Sequence, residues 1–276
     1  MNCPMPFADY QAIKAVNFST LKEMARSPLH YQHRLTTPRE DTSRMAFGRA
    51  IHTAVLEPDR FPLDYVVFEG PRRAGGVWDE FKAVHAGKTI LKLEEYETCL
   101  DVRDAVRGHR VARRLLRYGK PEVALQWVDP ITRMKCKARL DWLRGDVLTD
   151  LKSTGDVENR TFGRLSARMA YHCQLAFYRM GLIATGHKPA PVRIVAVEVD
   201  APHDVAVLAV DEDVLYAGEM EVRRLLRMVK TCRRKRRWPG RYEEEESLDF
   251  PEWALAPDTD LTGLGIHFEV RGGSAS

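Results

Sequence analysis

The stretch Lys137-Ala-Arg-Leu-Asp-Trp-Leu-Arg-Gly-Asp-Val-Leu-Thr-Asp-Leu-Lys152 places the turn-forming pair Gly145-Asp146 midway between Asp141 and Asp150. Apolar residues on both sides of such a pair read as a β-hairpin. A two-residue loop pairs 144 with 147, and therefore 141 with 150, which sets the two carboxylates about 5 Å apart at Cβ on one face. Like charges so placed destabilise a hairpin unless something neutralises them. Lys152 lies two residues beyond Asp150 and shares its face. The resulting Asp…Asp-x-Lys cluster offers hard oxygen donors suited to Mg²⁺ or Mn²⁺. Beside such an ion a lysine can orient or help deprotonate a water and offset charge on a phosphate. Spacing alone leaves a second reading open, a turn-rich hairpin of solvated acids with an ordinary surface lysine.

Working outward, Glu122 to Val128 alternates as a strand does, Asp129-Pro130 begins a turn, and Thr132 to Ala138 leads into the hairpin, giving a three-stranded meander. Downstream, Phe162 to Ile183 reads as one long helix, Val192 to Asp200 and Val205 to Val210 as strands, and Asp213 to Lys235 as a second long helix. Upstream, Ser19 is a candidate N-cap for a helix over Thr20 to Arg26 that stops at Ser27-Pro28. A helix from Phe47 to Leu56 is closed by Glu57-Pro58, residues 71–77 form a mobile basic loop, and Trp78 to Ala86 and Glu94 to Tyr118 are amphipathic helices. The expected architecture is α/β (α+β mixed), a central mixed β-sheet flanked by helices. A single domain spans 1–270, with a mainly helical part over 1–118, a core over 119–254 and a disordered tail over 271–276.

Of the 276 residues, 44% are hydrophobic, ample for a buried core. No run approaches the ~18 apolar residues of a membrane span and no signal-peptide core opens the chain, so the expectation is a cytoplasmic protein without a membrane partner. Cys3, Cys99, Cys136, Cys173 and Cys232 are widely spaced and lack any C-x-x-C pair, which argues for reduced thiols and against zinc or an iron–sulfur cluster. The net charge of +4 hides a local run, Arg233-Arg-Lys-Arg-Arg237, followed by the acidic Glu243 to Glu246. That run is either a solvated face or a contact for a polyanion such as DNA, for which Arg72 and Arg73 are further candidates.

Three other features are ambiguous from the residues alone. Tyr171, Gln174 and Tyr178 make one helical stripe, in which a glutamine between tyrosines suits a site holding phosphate or water as well as a core face. His52 sits among small and apolar residues, where a lone histidine is most often a satisfied core residue. Glu122 opens a strand as any exposed acid might.

A family resemblance bears on all three. Phe47-Gly-Arg-Ala-Ile-His-Thr-Ala-Val-Leu-Glu-Pro58, Lys137-Ala-Arg-Leu-Asp141, Thr149-Asp-Leu-Lys-Ser-Thr154 and Tyr171-His-Cys-Gln-Leu-Ala-Phe-Tyr178 resemble, in order, the motifs of RecE-type exonucleases (exonuclease VIII). These belong to the PD-(D/E)XK nucleases related to the RecB nuclease domain. Ser19 to Tyr31, Trp78-Asp-Glu-Phe81 and Cys232 to Trp253 resemble further family segments, so the likeness spans roughly residues 17–254. It implies a restriction-endonuclease-like core, with His52, Asp141 and Asp150 as metal ligands and the Leu151 carbonyl as a further candidate. It also implies Lys152 as the catalytic lysine, with Glu122, Gln174 and Tyr178 as catalytic-site residues. Leu140 departs from the proline the family commonly carries there, which alters strand stiffness and not a ligand. The resemblance implies a Mg²⁺-dependent exonuclease, with Mn²⁺ as a substitute, acting 5′ to 3′ on ends of linear double-stranded DNA in recombination or repair in a phage or prophage setting. A ring-shaped homo-oligomer and a single-strand annealing protein as partner are also implied. The alternatives are a nuclease module or endonuclease of a repair complex, and a DNA-end-binding protein that does not cleave.

Overall fold

The computed structural model describes residues 5, 7–37, 42–70, 72–188 and 191–252. Cys3, Trp253 and the 271–276 tail lie outside them. Among these, residues up to Arg241 belong to one compact unit and those from Tyr242 to a second. In chain order the elements are α1 (Phe7–Ala12), α2 (Phe18–Leu21), a 3₁₀ turn (Lys22–Ala25), α3 (Pro28–Thr36), α4 (Ser43–Leu56), α5 (Phe61–Asp64), β1 (Tyr65–Val67), α6 (Gly76–Val84) and β2 (Thr89–Leu91). There follow α7 (Leu93–Gly108), α8 (Arg110–Leu115), β3 (Lys120–Val128), β4 (Lys135–Arg144), β5 (Val147–Thr154), α9 (Asn159–Arg168), α10 (Tyr171–Ala184), β6 (Val192–Glu198), β7 (Val205–Val210) and α11 (Glu212–Lys235).

The central sheet runs β3-β4-β5-β6-β7, with β5 and β6 parallel and the other neighbours antiparallel. The meander and its register are as expected: Arg144 pairs with Val147, and Gly145, at φ 58, supplies the positive-φ position of the tight turn. The parallel step from β5 to β6 needs a long crossover, which α9 and α10 provide. Each face of the sheet is covered. On one, Val123, Leu125, Trp127, Leu140, Leu148 and Ile194 pack with residues of α2, α10 and α11. On the other, Trp142, Leu151, Val195 and Val197 pack with residues of α4, α7 and α8.

Helix α10 is held tightly against the sheet. Phe177 is fully buried, its ring 4.9 Å from that of Trp127 and 6.3 Å from that of Phe18. Truncation to alanine there should cost about 3–5 kcal/mol. A Cβ on Gly181 would stand 2.7 Å from the Trp127 ring, and one on Gly218 of α11 would collide with the His172 carbonyl of α10. Both glycines serve close approach and not backbone freedom.

Several expectations about boundaries need correction. Asn17, not Ser19, caps the first of these helices, its Oδ1 accepting from Thr20 N–H at 3.0 Å. Ser27-Pro28 ends one helical segment and also starts α3, because proline fits the first helical position and the Ser27 hydroxyl accepts from His30 N–H at 3.2 Å. Phe47 is inside α4, which begins four residues earlier under a Thr42 cap. Glu94 to Tyr118 is two helices, broken where His109 turns extended (φ −67, ψ 119) and its ring accepts from Ala112 N–H. The helix expected over Phe162 to Ile183 is also two, broken at Ala170, which adopts a left-handed φ of 58. Basic segment 71–77 gives way to α6 at Gly76, and the small parallel pair of β1 and β2 was not anticipated.

Candidate metal and phosphate site

Asp141 and Asp150 stand one pair beyond Trp142↔Thr149, where the antiparallel ladder stops. There the Leu151 N–H donates to Asp141 Oδ2 at 2.9 Å. On the other side of β4, the flanking pairs Pro121↔Trp142 and Val123↔Leu140 put Glu122 opposite Asp141. Three acids thus form a row across β3, β4 and β5. The row coincides with an irregularity: Glu122 has φ 52, and the inward alternation of β4 slips, Leu140 and Leu143 packing on one face and Trp142 on the other.

Side chains from both faces converge on this row. His52, in the middle of α4, brings Nδ1 to 3.6 Å from Asp141 Oδ2. Ligand atoms of His52, Glu122 and Asp141 all lie within 4.8 Å of one another. Lys152 Nζ is 2.6 Å from Asp150 Oδ2 and 4.7 Å from the ring centre of Tyr171. Arg139 Nε lies 2.7 Å from Glu122 Oε2. On α10, Gln174 Nε2 donates to Tyr178 Oη at 2.7 Å.

The electrostatics follow from packing. Burial, with the Lys152 ammonium adding to it, pulls His52 down to about 4, so its imidazole is neutral and can donate a lone pair. Burial raises Glu122 to about 8, and the Asp141 charge contributes. It raises Asp141 too, and lifts Asp150 to about 6 against the opposing pull of Lys152. Burial opposes the charge on Lys152, but Asp150 and Asp141 outweigh it and raise its pKa. Tyr178, buried near the same two aspartates, is held well above the ordinary phenol value.

These residues fit a divalent cation. Three carboxylates face two cations, Lys152 and Arg139, which leaves an excess negative charge when all three ionise. Asp150 is 0% exposed, and its Oδ1 has no hydrogen-bond partner among the described residues. An ionised oxygen buried without a partner is costly, and a metal removes that cost. Leu151, buried next to Asp150, donates its N–H to Asp141.

A groove of about 530 Å³, lined among others by Phe7, Tyr10, Arg34, Lys137, Arg139 and Tyr178, opens beside these groups. A recess of about 150 Å³ shares Tyr10, Lys137 and Tyr178 with it and adds Tyr171 and Gln174. Sequence reasoning passed over Arg139 and Tyr10. Arg139 was findable as the residue two before Asp141 on one strand; Tyr10 reaches the site only through the tertiary fold. Lys137 serves structure, its Nζ donating to the carbonyls of Tyr10, Gln11 and Ile13.

The basic candidates lie elsewhere. Arg233, Arg234, Lys235, Arg236 and Arg237 are all exposed at the C-terminal end of α11, where Arg236 has φ 52. Arg72 and Arg73 are both exposed, and Arg73 also donates to the Leu91 carbonyl at 2.6 Å and lies over the Trp78 ring. Cys99, Cys136, Cys173 and Cys232 are buried free thiols. No helix among the described residues is long and apolar enough to cross a membrane.

Comparison with known proteins bears on the fold and the family. No curated protein matches the sequence. A crystal structure from Eubacterium rectale, named "Putative exonuclease", superposes with a TM-score of 0.59 over 93% of this chain and 99% of that one, at 14% identity. It shares the fold. Residues 17–250 match the family described as "PDDEXK-like domain of unknown function (DUF3799)". The chain therefore belongs to this PDDEXK-like family, and its five-stranded mixed sheet with flanking helices is a PD-(D/E)XK nuclease fold.

Proposed function

We propose that this protein is a metal-dependent DNA exonuclease of the RecE type. The observation that carries this reading is the buried Asp150–Lys152 pair set beside the cluster of His52, Glu122 and Asp141. His52, Asp141 and Asp150 would hold a Mg²⁺ or Mn²⁺ ion, with Glu122 adjoining and the Leu151 carbonyl as a further donor. When bound, such an ion polarises the phosphate and acidifies water.

The chain's own groups do the rest. Lys152 stays protonated between Asp150 and Asp141, so its Nζ orients the attacking water and offsets charge growing on a phosphate oxygen. The Gln174 amide and Tyr178 hydroxyl, coupled to each other, place donors on the α10 side of the cleft. Arg139 tethers Glu122 and keeps a second cation within reach of the strand. The groove past Tyr10 and Arg34 gives a DNA strand its approach.

Action from the 5′ end on linear duplex, 3′ single-stranded products for recombination, a ring-shaped oligomer and an annealing partner follow from the resemblance alone. The test uses Mg²⁺ and duplexes labelled at either 5′ or 3′ ends, with circular and single-stranded DNA alongside. Linear duplex should be degraded with early release of the 5′ label while circles survive. Cleavage of circles would indicate an endonuclease. Absence of hydrolysis in both Mg²⁺ and Mn²⁺, with end binding retained, would indicate a non-cleaving protein.

A further inference from the structure

From Arg107 to Arg117 the chain reads Arg-Gly-His-Arg-Val-Ala-Arg-Arg-Leu-Leu-Arg, with five arginines and no acid. The break at His109 folds this stretch into the end of α7 and the short helix α8. The five arginines, with Leu116, line a concave pocket of about 710 Å³. A helix end that gathers basic residues can be merely favouring its own dipole. That accounts for single cations at a C-terminus, not for five gathered round one hollow.

None of the five has a carboxylate at ion-pair distance among the described residues. Arg107 donates to the Val55 carbonyl and Arg117 covers the Tyr118 ring; Arg110, Arg113 and Arg114 show no side-chain partner among the described residues. Mutual repulsion of this kind is relieved by an anion carrying several charges. Guanidinium forks match phosphate oxygens two at a time.

The hollow is tied to the elements that carry the acids. Val55 is one helical turn from His52 on α4. Trp142, the residue after Asp141, donates its indole N–H to the Leu115 carbonyl, and Arg144 donates to the Arg114 carbonyl. A strand held here would therefore be held at a fixed offset from the metal ligands.

We infer that the arginine pocket between α7 and α8 is a second DNA contact, which grips phosphates of the duplex at a distance from the bond being cut. This rests on the proposed action on DNA. The test is Arg110→Ser, Arg113→Ser and Arg114→Ser combined, with the three Arg→Lys changes as a charge-preserving control. Binding to a blunt duplex is followed in EDTA across 50–300 mM NaCl, so that no cleavage is needed. The serine variant should lose at least about tenfold in affinity at 100 mM salt, and the slope of log affinity against log salt should flatten by about 2–3. The lysine variant should keep the slope. Hydrolysis of bis(p-nitrophenyl) phosphate, too small to span both sites, should be unchanged.

An unchanged salt slope in a serine variant that melts like the wild type overturns the inference. So does competition by a mononucleotide as effective, per phosphate, as the duplex, which would make the pocket a free-phosphate site. Equal binding and equal loss on double-stranded RNA overturns the assignment to DNA. If the slope flattens as expected but wild-type protein hydrolyses no DNA with any divalent metal, the arginine pocket stands and the exonuclease reading falls.

Discussion

Two charged regions of this protein are equally conspicuous as sequence and opposite as structure. At the end of the meander, Glu122, Asp141, Asp150, Lys152 and Arg139 are packed between helices, and their acids are lifted out of the usual carboxylate range. At the end of α11, five consecutive cations are exposed. Charge on the second is screened and costs little to keep. Charge on the first is expensive, and such expense persists where a ligand or a reaction uses it.

The sharpest way to break this contrast is Asp150→Asn. Shape is kept, and hydrolysis of linear duplex should fall to background while circular dichroism and duplex affinity stay near wild type. Turnover within about tenfold of wild type in Mg²⁺ would mean that the buried acids are not the reacting centre. Next is His52→Ala. A ligand here should lower activity by about a hundredfold or more with a melting point within a few degrees of wild type, whereas a core histidine should show the reverse. Measuring both on one variant decides between them.

The exposed region gives a smaller effect. Replacing Arg233, Arg234, Lys235, Arg236 and Arg237 by serine should weaken binding equally across DNA sequences and flatten the salt slope by up to about 4. An unchanged slope would make the run a solvated face. Smallest is the stability effect of the acids. Glu122 titrates near 8 when folded against its ordinary 4.5, so the stability linked to its proton is present below about pH 4.5 and lost as pH rises through about 8. The metal-free protein should therefore melt progressively lower from pH 5 to pH 9, and Glu122→Gln should flatten that trend. Mg²⁺ should raise the melting temperature more at pH 9 than at pH 6, since it competes with protons for the same oxygens. An equal rise at both values would remove Glu122 from the site.

What could be read without coordinates was what depends on local chemistry. The Gly145-Asp146 turn sets the hairpin register, and hence the row of acids at 141 and 150. The break at Ala170 was invisible, because an alanine in left-handed conformation is imposed by packing and has no residue signature. The split at His109 was similarly hidden. The motif residues His52, Asp141, Asp150, Lys152, Gln174 and Tyr178 were legible through family likeness, yet spacing along the chain did not show that Glu122 stands opposite Asp141. That placement depends on strand register across β3 and β4. Tyr10, more than a hundred residues away in sequence, could be found only in the folded chain.

The contact between Gly218 and the His172 carbonyl carries a warning for genetic studies. Gly218 is buried in α11, and any substitution there must lever α11 away from the helix that presents Gln174 and Tyr178. A screen for inactive variants would then score Gly218 beside the ligands. Sorting such hits by protein abundance, as well as by lost activity, would separate positions that do the chemistry from those that only hold its frame.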